Sequence, residues 1–202
     1  MHRIETFASR AVPLPTNDID TDQIIPARFL KGTERAGLGT CLFADLRFDS
    51  SGSPVPTFSL NRPEHQGAQI LLAGGNFGCG SSREHAAWAL TDFGFRAVVS
   101  SSFADIFYNN ALKNGLLPVV VDKETQGTLF TMVEMHPEEE LTIDLPRQEI
   151  RWPGGSRSFP IDRFAKTCLL NGVDELGYIM GFSDAIDRYE LQHEEGGEVD
   201  ES

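Results

Sequence analysis

The chain has 202 residues, 40% of them apolar and 23% charged, with a net charge of −13; that fits one domain of ordinary size and excludes a disordered chain or a membrane protein. The acidic balance argues against nucleic acid or an anionic membrane as partner, since both reward a basic face. Three widely spaced cysteines, Cys41, Cys79 and Cys168, with no C-x-x-C pair, argue against a disulfide framework and against a zinc site or an iron–sulfur cluster held by this chain alone.

The opening stretch, "MHRIETFASRAVPLP", lacks the apolar core of a signal peptide, so the cytoplasm is the expected compartment. To about Gly67 the chain is rich in turn residues, and its short apolar pieces read as strands and loops with one short helix near Ala27 to Lys31. From Gln69 the pattern sharpens. "QILLAGG" reads as a buried strand that stops at a glycine turn, and residues 83–93 place Ala86, Ala87, Ala89, Leu90 and Phe93 at helical spacing. "AVVSSSF" is a second strand. "ADIFYNNALKNG" is a helix with Ile106, Phe107 and Ala111 on one face and Gly115 at its end, and "LLPVVVD" is a third strand. Strand, helix, strand, helix, strand predicts a parallel core covered by helices. Beyond it, "LTIDLPRQEIRW" reads as a hairpin turning at Pro146 to Gln148, Asp162 as the N-cap of "RFAKTCLLNG", and residues 173–189 as a last helix. The end, "HEEGGEVDES", has five acidic residues and no lysine or arginine, which predicts a solvated tail over 193–202 behind a single domain over 1–192.

The segment "GGNFGCGSSREHAA" is the most informative. Gly74, Gly75, Gly78 and Gly80 let backbone approach a ligand closely, and the helix behind them offers unpaired N–H groups and a partial positive charge. Ser81 and Ser82 add hydroxyls, and Arg83 adds a planar donor suited to a carboxylate or phosphate. The loop therefore reads as a holder for a small oxyanion. Ser81-Ser82-Arg83-Glu84 equally fits a capping box that does no more than satisfy helix-end N–H groups, and His85 reads as packed rather than catalytic. Neither nucleotide fingerprint, G-x-G-x-x-G or G-x-x-x-x-G-K-[ST], matches the spacing. "TNDIDTDQIIP" has three aspartates within five positions but lacks the glycine and terminal glutamate of an EF-hand, and reads as a turn. Asn109, Asn110, Lys113 and Asn114 read as water-facing, and Cys79 as packed rather than oxidation-sensitive.

Three segments, "GGNFGCGSSREHAAWAL", "NDIDTDQIIPARFLK" and "SSFADIFYNNALKNGLLP", together resemble the signature segments of the swivelling domain of the aconitase superfamily. The likeness is nearest to the small subunits of 3-isopropylmalate dehydratase and runs from Phe7 to about Tyr189. It implies an α/β fold, a swivelling β/β/α domain with a mixed sheet core covered by helices. It implies a hydro-lyase that is inactive alone: a separate large subunit carries a [4Fe-4S] cluster, and this chain binds neither cofactor nor metal. The implied reaction isomerises 2-isopropylmalate to 3-isopropylmalate by dehydration and rehydration, a step of leucine biosynthesis. Ser81 is then the base, Arg83 the carboxylate clamp and Asp22 a supporting catalytic group, while Gly80, Thr21 and Ser82 contact the small dicarboxylate substrate.

"RFLKGTERAGLG" resembles the family's specificity loop, where a citrate-like substrate needs a cation and an isopropyl group needs apolar contact. Phe29 and Leu30 are the expected contacts, with Arg28 and Arg35 close by. A related dehydratase acting on citraconate or methylmalate, and a carboxylate-binding module without chemistry, are the alternative readings.

Overall fold

The computed structural model describes residues 2–30 and 36–181. Arg35, the expected tail over 193–202 and the part of the expected last helix beyond Gly181 lie outside them. Two strands open the fold, β1 (Thr6–Ser9) and β2 (Ala11–Leu14). A one-turn helix α1 (Thr21–Ile24) follows, then a 3-10 turn over Ala27–Phe29, a second over Leu38–Cys41, and the short α2 (Ala44–Arg47). After two more 3-10 turns come β3 (Ile70–Ala73), α3 (Glu84–Phe93), β4 (Ala97–Ser100), α4 (Asp105–Lys113) and β5 (Leu117–Val120). The remainder is α5 (Lys123–Met135), β6 (Leu141–Asp144), β7 (Glu149–Trp152), β8 (Gly155–Ser158), α6 (Arg163–Asn171) and α7 (Glu175–Met180). Among the described residues no helix is long and apolar enough to cross a membrane.

The described strands form two sheets. A parallel one has the order β2-β3-β4-β5, and an antiparallel one the order β1-β6-β7-β8. β2 and β3 are buried at every position, as a strand covered on both faces must be, and so is β4. Alternate residues divide between two cores. Val12, Leu71 and Val98 join Ala86, Leu90 and Phe107 on one side; Ala11, Ile70, Leu72 and Val99 join Leu129 of α5, Leu169 of α6 and Ile143 and Ile150 of the antiparallel sheet on the other. The parallel sheet is thus a middle layer between helices and a second sheet, which is the β/β/α arrangement expected.

Several local expectations hold. The hairpin turns over 145–148, and the Asp162 carboxylate caps α6 by accepting from the N–H groups of Phe164 and Ala165. Others change. Ile106 is 51% exposed while Phe107, Ala111 and Leu112 carry the buried stripe of α4; 107 and 111 stand one turn apart and 106 lies off that line. No box forms at Ser81 and Glu84, since α3 starts with Arg83 at its N-cap and no side-chain cap. The reciprocal box occurs instead at Asp20 and Gln23, so the acidic turn is the start of α1. α5 and β8 are elements that the sequence pattern does not announce.

Asp144 closes the hairpin. Its carboxylate accepts from the Arg147 N–H at 2.9 Å and from Arg151 at 3.2 Å, and these contacts hold it below the usual carboxylate range. A depressed value stabilises the fold above the ordinary carboxylate pKa and ceases to do so as pH falls through the folded value. Asp144→Asn is expected to cost about 1–3 kcal/mol at pH 7, with the gap from wild type closing as pH falls below the ordinary carboxylate range, as denaturant titrations across pH would record.

Candidate active site

Parallel strands send their exit loops to the same edge, and three of them meet here. Beyond Leu14, Ala73 and Ser100 the chains stay side by side, with isolated parallel bridges at Asp20–Cys79 and Phe77–Phe103. The glycine loop lies between its two neighbours. Gly74 N–H donates to Leu14 O at 2.9 Å, Gly75 N–H to Asn17 Oδ1 at 2.7 Å and Asn76 N–H to Ser102 Oγ at 2.8 Å. Phe77 N–H donates to Ser102 O at 3.1 Å and Gly78 N–H to Ile19 O at 2.8 Å. Two carbonyls are held by buried side chains: Ala73 O by Gln126 Nε2 and Gly74 O by Ser100 Oγ, each at 2.7 Å.

This corrects the expectation that all four glycines open backbone to a ligand. The N–H groups of residues 74–78 are turned into the protein. Gly74 is glycine because a Cβ would come within 2.2 Å of Thr16 O, and Gly78, at φ +79, because a Cβ would come within 2.2 Å of the Phe107 ring. Gly80, Ser81 and Ser82 at the far end of the loop are exposed, as is the Asn76 side chain nearer its start. Among the described residues nothing accepts from the N–H groups of Ser81 and Ser82 or bonds the Ser81 hydroxyl.

Residues 18–22 support that end. Thr21 N–H donates to Cys79 O at 2.9 Å, and the buried Thr21 hydroxyl donates to Ser81 O, also at 2.9 Å. Thr21, expected to contact substrate, has its proton directed at the backbone of Ser81 instead. Arg83 forms an ion pair with Asp22; the arginine side chain is 19% exposed and the aspartate 52%. Two segments about 60 residues apart in sequence therefore meet at Ser81, Arg83, Thr21 and Asp22. A cavity of about 780 Å³ lies at the opposite end of the parallel sheet, lined by Gln69, Trp88, Arg96 and Asn114 among others.

Residues 1–124 match the aconitase C-terminal domain family, and residues 128–163 match LeuD_N. The 3-isopropylmalate dehydratase small subunit of Roseiflexus castenholzii is 57% identical, over 96% of this chain and 95% of that one. This chain belongs to the 3-isopropylmalate dehydratase small-subunit family. The small subunit of Chloroflexus aurantiacus is 53% identical over 96% of both chains, and that of Anaeromyxobacter dehalogenans 56% over 89% of this chain and 93% of its own. A crystal structure of 3-isopropylmalate dehydratase from Methanocaldococcus jannaschii superposes with a TM-score of 0.63 at 27% identity, covering 94% of this chain and 99% of that one.

The segment that resembles the small-subunit family's specificity loop is described in part. The Arg28 guanidinium pairs with both carboxylate oxygens of Asp45 and lies 4.5 Å over the Phe29 ring. Phe29 and Leu30 are half-buried and pack on the core between the parallel sheet and α3. Cys79 Sγ donates to Asp18 O at 3.4 Å; burial, then the carboxylates of Asp20 and Asp18, push its thiol up, which suits the packed reading rather than a reactive one. The His85 ring lies against Trp88, centroids 4.5 Å apart and planes tilted by 51°, and Trp88 donates to Asn114 Oδ1 at 2.7 Å, so Asn114 is not simply water-facing.

Sequence reasoning passes over Asn76, Asp18 and Ser102. A signal is present: an asparagine inside a glycine run is a residue that tolerates the left-handed region, and Asn76 sits there at φ 54. The differing surroundings of the glycines give a contrast. Gly78→Ala is expected to lower the melting temperature well beyond Gly80→Ala, because both need positive φ but only the Gly78 Cβ meets a ring; at Gly80 the nearest atom, Asp20 Cβ, is 3.4 Å away. Calorimetry of the two variants checks the order.

Proposed function

We propose that this chain is the small subunit of a 3-isopropylmalate dehydratase. It would complete the active site of a cluster-bearing large subunit that isomerises 2-isopropylmalate to 3-isopropylmalate in leucine biosynthesis, and would be inactive alone. The observation that carries the reading is the joining of Ser81 and Arg83 to Thr21 and Asp22 on an exposed edge, in a chain of this family.

Cys41, Cys79 and Cys168 stand in three separate segments, and among the described residues no group of three or more His, Cys, Asp or Glu side chains converges on one point. The residues present do not fit a cluster; in this reading it would belong to the partner, where it would supply Lewis-acid chemistry. Ser81 takes a proton from the carbon next to the one that loses hydroxyl, and returns it on rehydration. A serine does this only if its deprotonated form is favoured. The open N–H groups of Ser81 and Ser82, at the positive end of α3, and the Arg83 guanidinium favour it. Asp22 holds Arg83 through one terminal nitrogen and leaves the other donors of the guanidinium for a substrate carboxylate. Thr21 fixes Ser81 by its carbonyl, and Gly80, at φ +88, turns the chain outward there. Pairing of Arg28 with Asp45 and the half-buried apolar faces of Phe29 and Leu30 favour an isopropyl-bearing substrate over one with a third carboxylate.

The test is reconstitution with the anaerobically prepared large subunit, comparing turnover of 2-isopropylmalate, citraconate and citrate. Turnover is expected with 2-isopropylmalate. Ser81→Ala should lower kcat about 10²–10⁴-fold with the complex still assembled. Arg83→Lys should raise KM, since a point charge replaces a two-pronged donor. A Ser81→Ala complex that turns over at the wild-type rate refutes the assignment of the base.

A further inference from the structure

Among the described residues, four that are not glycine hold positive φ: Asp18, Phe43, Asn76 and Gln148. Two of them touch. Asn76 Nδ2 donates to Asp18 Oδ1 at 2.7 Å, on the edge where the exit loops of β2, β3 and β4 run together. Asn76 N–H reaches the third loop, at Ser102 Oγ, and Asp18 N–H returns to Gly75 O at 2.9 Å. Asn76 is thus tied to both neighbours of the glycine loop, by side chain on one flank and by backbone on the other. Both residues are exposed, so the bond gains little from burial. Holding two left-handed residues face to face on a solvent edge is not an arrangement that core packing demands, and strain of this kind gathers where geometry matters to function.

We propose that Asn76 and Asp18 are positioning residues, a polar latch that fixes the register between the glycine loop and residues 18–22 and so sets Ser81 and Arg83 against Thr21 and Asp22. The inference rests on the dehydratase reading for its catalytic consequence. Past the latch the two segments remain in step through Gly78 N–H to Ile19 O, Thr21 N–H to Cys79 O and Thr21 Oγ1 to Ser81 O. A slip at Asn76 is carried along that ladder to Ser81. The upper flank has a second tie, Gly75 N–H to Asn17 Oδ1, so losing the latch loosens the register without unfolding the loop.

Asn76→Gly isolates the effect, because glycine keeps the left-handed backbone and the N–H to Ser102 while removing the cross-loop amide. In the reconstituted complex kcat is expected to fall about tenfold with KM for 2-isopropylmalate changed less than about threefold, as misplacement of a reacting group predicts. Asp18→Ala should match it, the double variant should be no worse than either single one, and Asp18→Asn, which keeps an acceptor oxygen, should restore most of the rate. In the isolated subunit, amide exchange over residues 75–81 should quicken in Asn76→Gly while that of β3 and α3 stays as in wild type. Wild-type kcat in Asn76→Gly, or failure of Asp18→Asn to recover activity lost in Asp18→Ala, overturns the latch. A wild-type complex without turnover sinks the dehydratase reading instead, and the exchange measurement still decides the latch. If Asp18→Ala does not fold, the comparison of Asn76→Gly with Asp18→Asn carries the test.

Discussion

The site depends on the saturation of one loop's backbone. In residues 74–78 each N–H finds an acceptor in the neighbouring exit loops or at the end of β2, so a stretch with three glycines among five residues behaves as an extension of the parallel sheet. Unpaired buried amides would each cost on the order of 1–3 kcal/mol, and a glycine-rich strand is intrinsically weak. The acceptor oxygens of Asn17, Ile19 and Ser102 oppose both liabilities. The result is a firm base from which Gly80, Ser81 and Ser82 project, and among the described residues nothing accepts from the N–H groups of Ser81 and Ser82.

Rigidity and exposure are usually at odds, since exposed loops are mobile. Here they are reconciled by dividing the loop. Its first half is buried in contacts and its second half leads directly into α3, anchored by Ala86, Ala89 and Leu90 in the core. Ser81 lies between two fixed points only a few residues apart. Thr21 from below and the Arg83–Asp22 pair from the side then restrict what remains. Under the proposed role of Ser81 such preorganisation is an advantage, because donors already in place need not reorganise when charge develops.

Much of this is legible in the residues. The parallel core can be read because "QILLAGG", "AVVSSSF" and "LLPVVVD" are largely apolar and separated by helical patterns, and the loop's importance can be read from its density of glycine and polar groups. α5 is hidden by Gly127 and by a buried stripe that includes Thr125 and Gln126, although Asp122 capping at Thr125 is a usable signal. β8, with no large apolar residue and mostly exposed, is held by its hairpin pairing to β7, a tertiary fact with no local trace. At the site, the residue types mark a polar constellation but do not tell what each glycine does. Whether a glycine faces a ligand, a ring or a carbonyl depends on which segment packs against it, and Phe107 and Thr16 are far in the chain from Gly78 and Gly74.

The ion pair of Arg28 with Asp45 has a wider implication. It fastens the segment that resembles the family's selectivity element to α2, while the bonds that brace Ser81 and Arg83 come from residues 18–22 and the exit loops. The two segments thus have separate foundations. Substitutions at residues 28–30 can therefore accumulate, by natural drift or deliberate grafting, while the bonds that hold Ser81 and Arg83 stay as they are.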